Sequence, residues 1–399
     1  MSHPTPARES GAAAASLTRL LRPRRPSPQD AQGLADPARV RRVLVVKLHD
    51  QLGDFVLATP AFRALRERFP QARLALVTRE FLAPLAVRAP FLDRVWVLPR
   101  VAGPRDAARL LGIASAVAAF RPDLAFVLNS VSRSKTADAL AALSRARLVV
   151  GRSRVVPGGP PPDGAPDDPF AAALAEPRRD PVYDLDLPVA KTSVHQVERL
   201  LDLVRWCGAR PSSAALALSP RDDERHEALR AIERAFLPEP APRRIVGIHP
   251  GAANPLKCWP LESFVELGAG LGRSDDEPAG LAVFDSPRER GRGAALCAGL
   301  EARGVRAALL PVGGIEWFAA LCAELDLLLC NDSGVMHIAA ALGVPTVSLH
   351  SMGRPPEWAP RSDRAVAFYA PAAIGAIPVG AVLEAARGLL HVTARTPVD

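Results

Sequence analysis

From residue 41 onward, short apolar runs alternate with stretches whose apolar positions recur at helical spacing. The runs fall near 43–48, 73–77, 94–98, 123–128 and 147–150, with helical stretches near 60–69, 80–88, 106–119 and 133–143 between them. Strands that alternate with helices imply a parallel sheet. A second series of the same kind starts with RRIVGIHPG at 243–251 and continues with strands near 281–284, 306–310, 326–330 and 345–349. Between the series, residues 151–192 pack proline, glycine and charge together as a linker does. Past them, VHQVERLLDLVRWCGA reads as an amphipathic helix.

The expected architecture is α/β, with two Rossmann-like domains facing across a cleft. Residues 1–40 form a tail, 41–150 the first domain, 151–192 the linker and 193–399 the second domain. A chain of 399 residues fits two domains, since single cores seldom grow past ~250–300 residues. The tail is rich in Ala, Pro, Ser and Arg and lacks a sustained apolar core, so it reads as disordered. Its AAAASLTRLL run is too weak for a secretory signal and precedes the basic cluster Arg22, Arg24 and Arg25, where a signal would have it follow. Those arginines leave open a contact with an anionic membrane surface.

Composition narrows the partners. The formal charge of +8 suits anionic ligands or surfaces, but only 5% of residues are aromatic, so the stacking platforms of a single-strand nucleic-acid binder are scarce. The five cysteines, Cys207, Cys258, Cys297, Cys322 and Cys330, form no CxxC pair and no zinc-spaced cluster, which fits a reduced cytosol. The longest stretch free of formal charge, Ser333 to Gly353, is broken by Pro345 and Gly343 and predicts no transmembrane span.

Candidate chemistry clusters directly after apolar strands, where a parallel sheet presents its ligands. After the first strand, a short loop carries Asp50, Gly53 and Asp54 before an amphipathic helix. On spacing alone Asp54 is a helix cap or loop carboxylate, and Asp50 a surface residue. HPGAANPLKCWP at 249–260 places Lys257 after a loop of small residues, as solvated surface or as a point charge for phosphate. In CNDSGVMHIAAALGVP at 330–345, Asp332 and Ser333 stand at the start of a short helix, with Gly334 allowing close approach and His337 one turn in. A helix start offers free N–H groups and a positive dipole end to a diphosphate, and Asp332 or Ser333 capping the helix is the other reading.

Together, LGDFVLATPAFRALRERFP, HPGAANPLKCWP, NDSGVMHIAAALGVPTVSL and GRPPEWAP resemble glycosyltransferase family 9, the heptosyltransferase-like enzymes of lipopolysaccharide assembly, over residues 41 to about 370 and in the family's order. The resemblance implies a GT-B fold, with residues 41–150 as the acceptor domain and 193–399 as the nucleotide-sugar-binding domain, and an inverting, metal-independent transfer of a sugar, plausibly heptose, from a nucleoside-diphosphate sugar to a lipopolysaccharide or other surface-glycan acceptor. The nucleotide sugar is then a substrate, with no cofactor, no metal and no nucleic-acid partner. Asp54 matches the family's proposed general base, Lys257 its phosphate-binding lysine, and Asp332, Ser333, Gly334 and His337 its donor-binding turn. Glu289 is a loose match to a donor-sugar contact. The implied location is cytoplasmic, with peripheral contact at the inner face of the cytoplasmic membrane left open.

Several features depart from the family pattern or compete with it. Lys47 and Gln51 stand where relatives commonly show an Arg in the first loop, and VFDSPRERGR lacks a glycine pair usual after that strand. Asp184 and Asp186 in DLD mimic a metal-binding pair, but at a linker end. GAGLG at 268–272 falls at a helix end, away from the strand-to-helix turn of a dinucleotide fingerprint, and His195 reads as structural. Two rivals remain on the same fold: a non-catalytic nucleotide-sugar or glycan-binding protein, and a GT-B-like nucleotide-sugar epimerase.

Overall fold

The computed structural model describes residues 26–27, 30–48, 51–100, 103–154, 160–176, 180–238, 242–273, 278–285, 291–311 and 313–392. They belong to two compact units, Met1–Ala214 and Ala215–Asp399.

The first unit holds a six-stranded sheet, order β3-β2-β1-β4-β5-β6. The strands are β1 (Arg42–Val46), β2 (Arg73–Arg79), β3 (Arg94–Leu98), β4 (Leu124–Val127), β5 (Leu148–Gly151) and β6 (Leu185–Asp186). Every pair is parallel. Alternate residues of a strand face opposite sides. Leu44 and Val46 therefore join Ala75, Val77, Ala125 and Val127 in a core shared with Val117, Ala137 and Leu140 of the helices Pro104–Phe120 and Lys135–Leu143. Val43, Val45 and Phe126 face the other way, where the Phe126 ring lies 6.3 Å from Trp206 at the end of the helix Gln196–Arg205.

The second unit repeats this winding. Its strands are β7 (Ile245–His249), β8 (Gly280–Val283), β9 (Ala307–Leu309), β10 (Leu327–Asn331), β11 (Thr346–His350) and β12 (Ala365–Tyr369), in the order β12-β11-β10-β7-β8-β9. These pairs are parallel as well. In both sheets the first strand of the unit lies between its second and its fourth, so the strand order reverses between β1 and β4 and between β7 and β10. Such switch points are where open parallel sheets bind ligands, at the carboxyl ends of the strands.

Two boundaries differ from expectation. Residues 30–40, expected in the tail, are folded: Ala31–Leu34 is a short helix, and Ala31, Ala35 and Val40 are buried. Small alanines gave this segment little apolar signal. The expected linker contributes β6 and a helix, Pro169–Ala175, and buries Val182, Tyr183 and Leu185. The helix Gln196–Arg205, expected in the second domain, packs with Thr59–Arg68 in the first, where Arg68 Nε donates to the Cys207 carbonyl at 2.8 Å. Asp50, Glu289 and the arginines Arg22, Arg24 and Arg25 lie outside the described residues.

Candidate functional site

At the carboxyl ends of β7 and β10, one buried amide organises the second unit's site. Asn331 ends β10; its Oδ1 accepts from the Trp259 N–H at 3.0 Å, and its Nδ2 donates to the carbonyls of Pro250 and Gly251 at 2.8 and 3.2 Å. Both ends of the loop after β7 are thereby tied to β10. The Trp259 indole anchors the same loop, donating to the Ile377 carbonyl at 3.3 Å and meeting Phe264 edge-on at 5.1 Å. Arg292 adds bonds to the carbonyls of Pro250 and Trp259 at 3.2 and 3.0 Å.

The loop so held delivers Lys257 to the β10 turn. Lys257 Nζ lies 2.7 Å from Asp332 Oδ2, with the lysine partly exposed and the carboxylate buried. The segment after β11 closes in from the third side. Ser351 Oγ donates to the Leu256 carbonyl at 3.1 Å, and a Cβ at Gly353 would overlap the Asp332 carboxylate. His350, fully buried, has Nδ1 3.9 Å from Asp332 Oδ1 and Nε2 2.9 Å from Ser348 Oγ. Burial pulls its imidazole below the usual histidine range; Asp332 raises it, Lys257 lowers it again and a backbone bond at Gly353 raises it.

Asp332 and Ser333 precede the helix Gly334–Ala341. Ser333 occupies the cap position, but its side chain makes no capping bond and its buried Oγ finds no hydrogen-bond partner. Capping by Ser333 is therefore not what the sequence DSG does here. Gly334 opens the helix half-buried and His337 is buried one turn in. The helix start, the Lys257 ammonium and a buried carboxylate thus converge on one turn, an arrangement suited to a diphosphate carrying a hydroxylated group.

In the first unit, Asp54 is neither cap nor loop residue. It is the third residue of the helix Leu52–Val56, whose cap position is Gln51, and it is buried. Lys47 follows β1 and is fully buried, with its ammonium unpartnered by any hydrogen bond. Burial pulls this lysine below its ordinary range while the Asp54 carboxylate raises it. A carboxylate and a lysine therefore sit at the carboxyl end of the central strand.

Other sequence candidates have structural roles. Asp184 Oδ2 accepts from the Val149 N–H at 2.7 Å and Asp186 Oδ1 from the Ser153 N–H at 2.7 Å, so the DLD pair fastens β6 beside β5. His195 caps the helix Gln196–Arg205, its Nδ1 accepting from the Val197 N–H at 3.2 Å. In the VFDSPRERGR segment, Asp285 accepts from the N–H groups of Gly291 and Gly293 at 3.0 and 2.7 Å, capping the helix Arg292–Glu301.

A profile of glycosyltransferase family 9 (heptosyltransferase) matches residues 172–375, just over half of the chain. The chain belongs to glycosyltransferase family 9. Among curated relatives, lipopolysaccharide heptosyltransferase 2 of Escherichia coli K12 is 32% identical over 126 residues, 31% of this chain and 35% of that protein. The chain thus aligns with about a third of that relative's length. The enzyme of the same name from Salmonella typhimurium is 24% identical over 318 residues, 79% of this chain and 84% of that protein. Among solved structures, a family 9 glycosyl transferase from Veillonella parvula superposes with TM-score 0.70 at 19% identity, covering 88% of this chain and 98% of that one. The Escherichia coli ADP-heptose lps heptosyltransferase II gives 0.62 at 21%, covering 88% and 99%. At these identities the superpositions establish a shared fold, the GT-B fold expected of family 9.

Reading the sequence for chemistry missed Asn331, His350, Ser351 and Arg292. Asn331 and His350 carried a usable signal, since each is a polar residue at the last position of an apolar strand in a parallel sheet. Arg292 and Ser351 act through backbone carbonyls distant in sequence and carried none.

Proposed function

We propose that this family 9 chain is an inverting, metal-independent glycosyltransferase that moves a heptose from ADP-heptose to a lipopolysaccharide acceptor. The observation that carries the reading is the convergence of Lys257, Asp332 and the uncapped start of Gly334–Ala341 at the switch point of the second sheet. The names of the relatives supply the donor and acceptor classes.

In this reading Asp54 takes the proton of the acceptor hydroxyl while that oxygen bonds to the anomeric carbon. The bond from that carbon to the diphosphate oxygen breaks, and the electron pair leaves with the nucleoside diphosphate. Lys257 and the N–H groups at the helix start meet the growing negative charge, an electrostatic contribution of roughly 3–4 kcal/mol per well-placed donor in comparable sites. Attack from the face opposite the leaving group inverts the anomeric centre. Asp332 holds a hydroxyl of the donor sugar, and His337 helps to seat the donor. A cytoplasmic location fits this donor; among the described residues no helix is long and apolar enough to cross a membrane.

The deciding experiment measures thermal shifts with ADP, UDP and GDP, then assays ADP-heptose transfer to a heptose-terminated lipopolysaccharide oligosaccharide in excess chelator. ADP should stabilise most, by about 2.7 kcal/mol at a hundredfold excess over Kd. The product should carry the anomer opposite to the donor's. A UDP preference would replace the donor, loss of all transfer in chelator would overturn metal independence, and a retained anomer would overturn inversion.

A further inference from the structure

The first unit carries unpaired polar groups that the transfer chemistry above does not use. Thr78, Asn129 and Gln196 are fully buried and Ser130 is 2% exposed. Six of their side-chain atoms, Thr78 Oγ1, Asn129 Oδ1 and Nδ2, Ser130 Oγ, and Gln196 Oε1 and Nε2, have no hydrogen-bond partner. Buried polar groups are nearly always paired, because leaving one unpaired loses its hydration without return. Four such residues in one unit call for a physical reason.

Topology brings them to one edge. Thr78 is next to last in β2, and Asn129 and Ser130 come one residue after β4, so they flank the carboxyl end of β1 on either side. The Lys47 N–H bonds to the Val77 carbonyl and the Leu128 N–H to the Val46 carbonyl, both at 3.0 Å, which fixes these strand ends level with one another. Gln196 begins a helix that packs beside Thr59–Arg68 with their carboxyl ends together, at Arg68 and Cys207. Thr59–Arg68 in turn follows the helix bearing Asp54.

Past Asn129 and Ser130 the chain is anchored at Arg133 and Ser134. Arg133 bonds Asp138 at 2.6 Å and Asp180 at 2.9 Å, Tyr183 donates to Asp138 at 2.5 Å, and Ser134 caps its helix by accepting from the Ala137 N–H at 3.3 Å. Amides and hydroxyls each both donate and accept, and all four side chains are neutral. That set matches the hydroxyl groups of an uncharged sugar better than a phosphate or a carboxylate.

We propose that Thr78, Asn129, Ser130 and Gln196 form the seat that reads the neutral hydroxyl groups of the acceptor saccharide beside Asp54. The inference rests on the transferase reading for the identity of the acceptor, while the seat itself is tested by binding. Burying these groups costs fold stability, which hydrogen bonds to the sugar would recover.

The test uses Asn129→Leu and, should that variant not fold, the near-isosteric Thr78→Val. Melting temperature, ADP affinity and the affinity for heptose-terminated lipopolysaccharide oligosaccharide are measured by calorimetry alongside transfer kinetics. Each variant should melt at or above the parent temperature and bind ADP unchanged. Oligosaccharide binding and acceptor kcat/KM should fall tenfold or more, with the donor KM unaltered. A variant that melts higher yet binds the oligosaccharide as the parent does would overturn the seat, identifying the orphan atoms as hosts of internal water. A parent that prefers a terminal carboxylated sugar over a neutral one would overturn its chemistry. Oligosaccharide binding by the parent without transfer would instead defeat the transferase reading, and the binding loss in the variants would still decide the seat.

Discussion

Lys257 Nζ and Asp332 Oδ2, 75 residues apart in sequence, meet at 2.7 Å at the switch point of the second sheet. A diphosphate that draws on Lys257 competes with Asp332 for the same ammonium. Two opposite changes in nucleotide affinity follow. Lys257→Ala should weaken ADP binding by roughly 1.5–3 kcal/mol, the range for hydrogen bonds to charged groups. Asp332→Asn removes the competitor and a repelling charge, so ADP should bind more tightly even as sugar transfer declines. Calorimetric titration with ADP reads both, and equal affinity in parent and Lys257→Ala would take the lysine out of the site.

Asn331 holds the loop that presents Lys257, and its three bonds are buried. Asn331→Ala leaves the Trp259 N–H and two carbonyls without their partner. Each such loss costs about 1–3 kcal/mol, less where the loop relaxes. The variant should unfold at lower denaturant and bind ADP more weakly, because the loop is free to carry Lys257 away. Lower stability with unchanged ADP affinity would show that the loop keeps its place through Trp259 and Arg292 alone.

His350 links the site to pH. Its folded-state pKa lies below 6.5, first through burial, so the unfolded chain binds the proton more readily. Stability therefore falls as pH drops below about 6.5, and levels off once the folded form is protonated too. One such group contributes a slope of at most about 1.4 kcal/mol per pH unit. Denaturation curves between pH 7.5 and about 5 should show the decline, and His350→Asn should flatten it. An identical slope in the variant would assign the effect to other groups.

Periodicity and turn chemistry carried most of the fold. The runs at 43–48 and 73–77 became β1 and β2, and RRIVGIHPG became β7, because strands buried on both faces need unbroken apolar runs. β6 escaped because it is two residues long and lies among prolines and glycines; its place depends on Asp184 and Asp186 bonding to the backbone near β5. β12 is an edge strand of mostly half-buried residues, which weakens its signal. Lys257, Asp332 and Ser333 were legible as polar residues following apolar strands, and the structure gathers them at one turn. Lys47 and Gln196 were not legible as buried polar groups. One lies in an apolar run and the other begins an amphipathic helix, and neither pattern reveals that the side chain is covered without a hydrogen-bond partner.

The assignment of Asp54 as base yields a prediction that separates chemistry from folding. Asp54→Asn should cut transfer by roughly 10²- to 10⁴-fold with ADP affinity unchanged, since the proposed nucleotide site lies in the second unit. The same change removes the carboxylate whose charge supports the buried Lys47 ammonium. Leaving a buried lysine without the neighbouring opposite charge is destabilising, whereas replacing both groups with apolar ones is often neutral. Asp54→Asn should therefore be less stable than the parent, and adding Lys47→Met should restore stability without restoring transfer. If the double variant recovered transfer along with stability, the single variant's defect would have been one of folding, and Asp54 would lose its role as base.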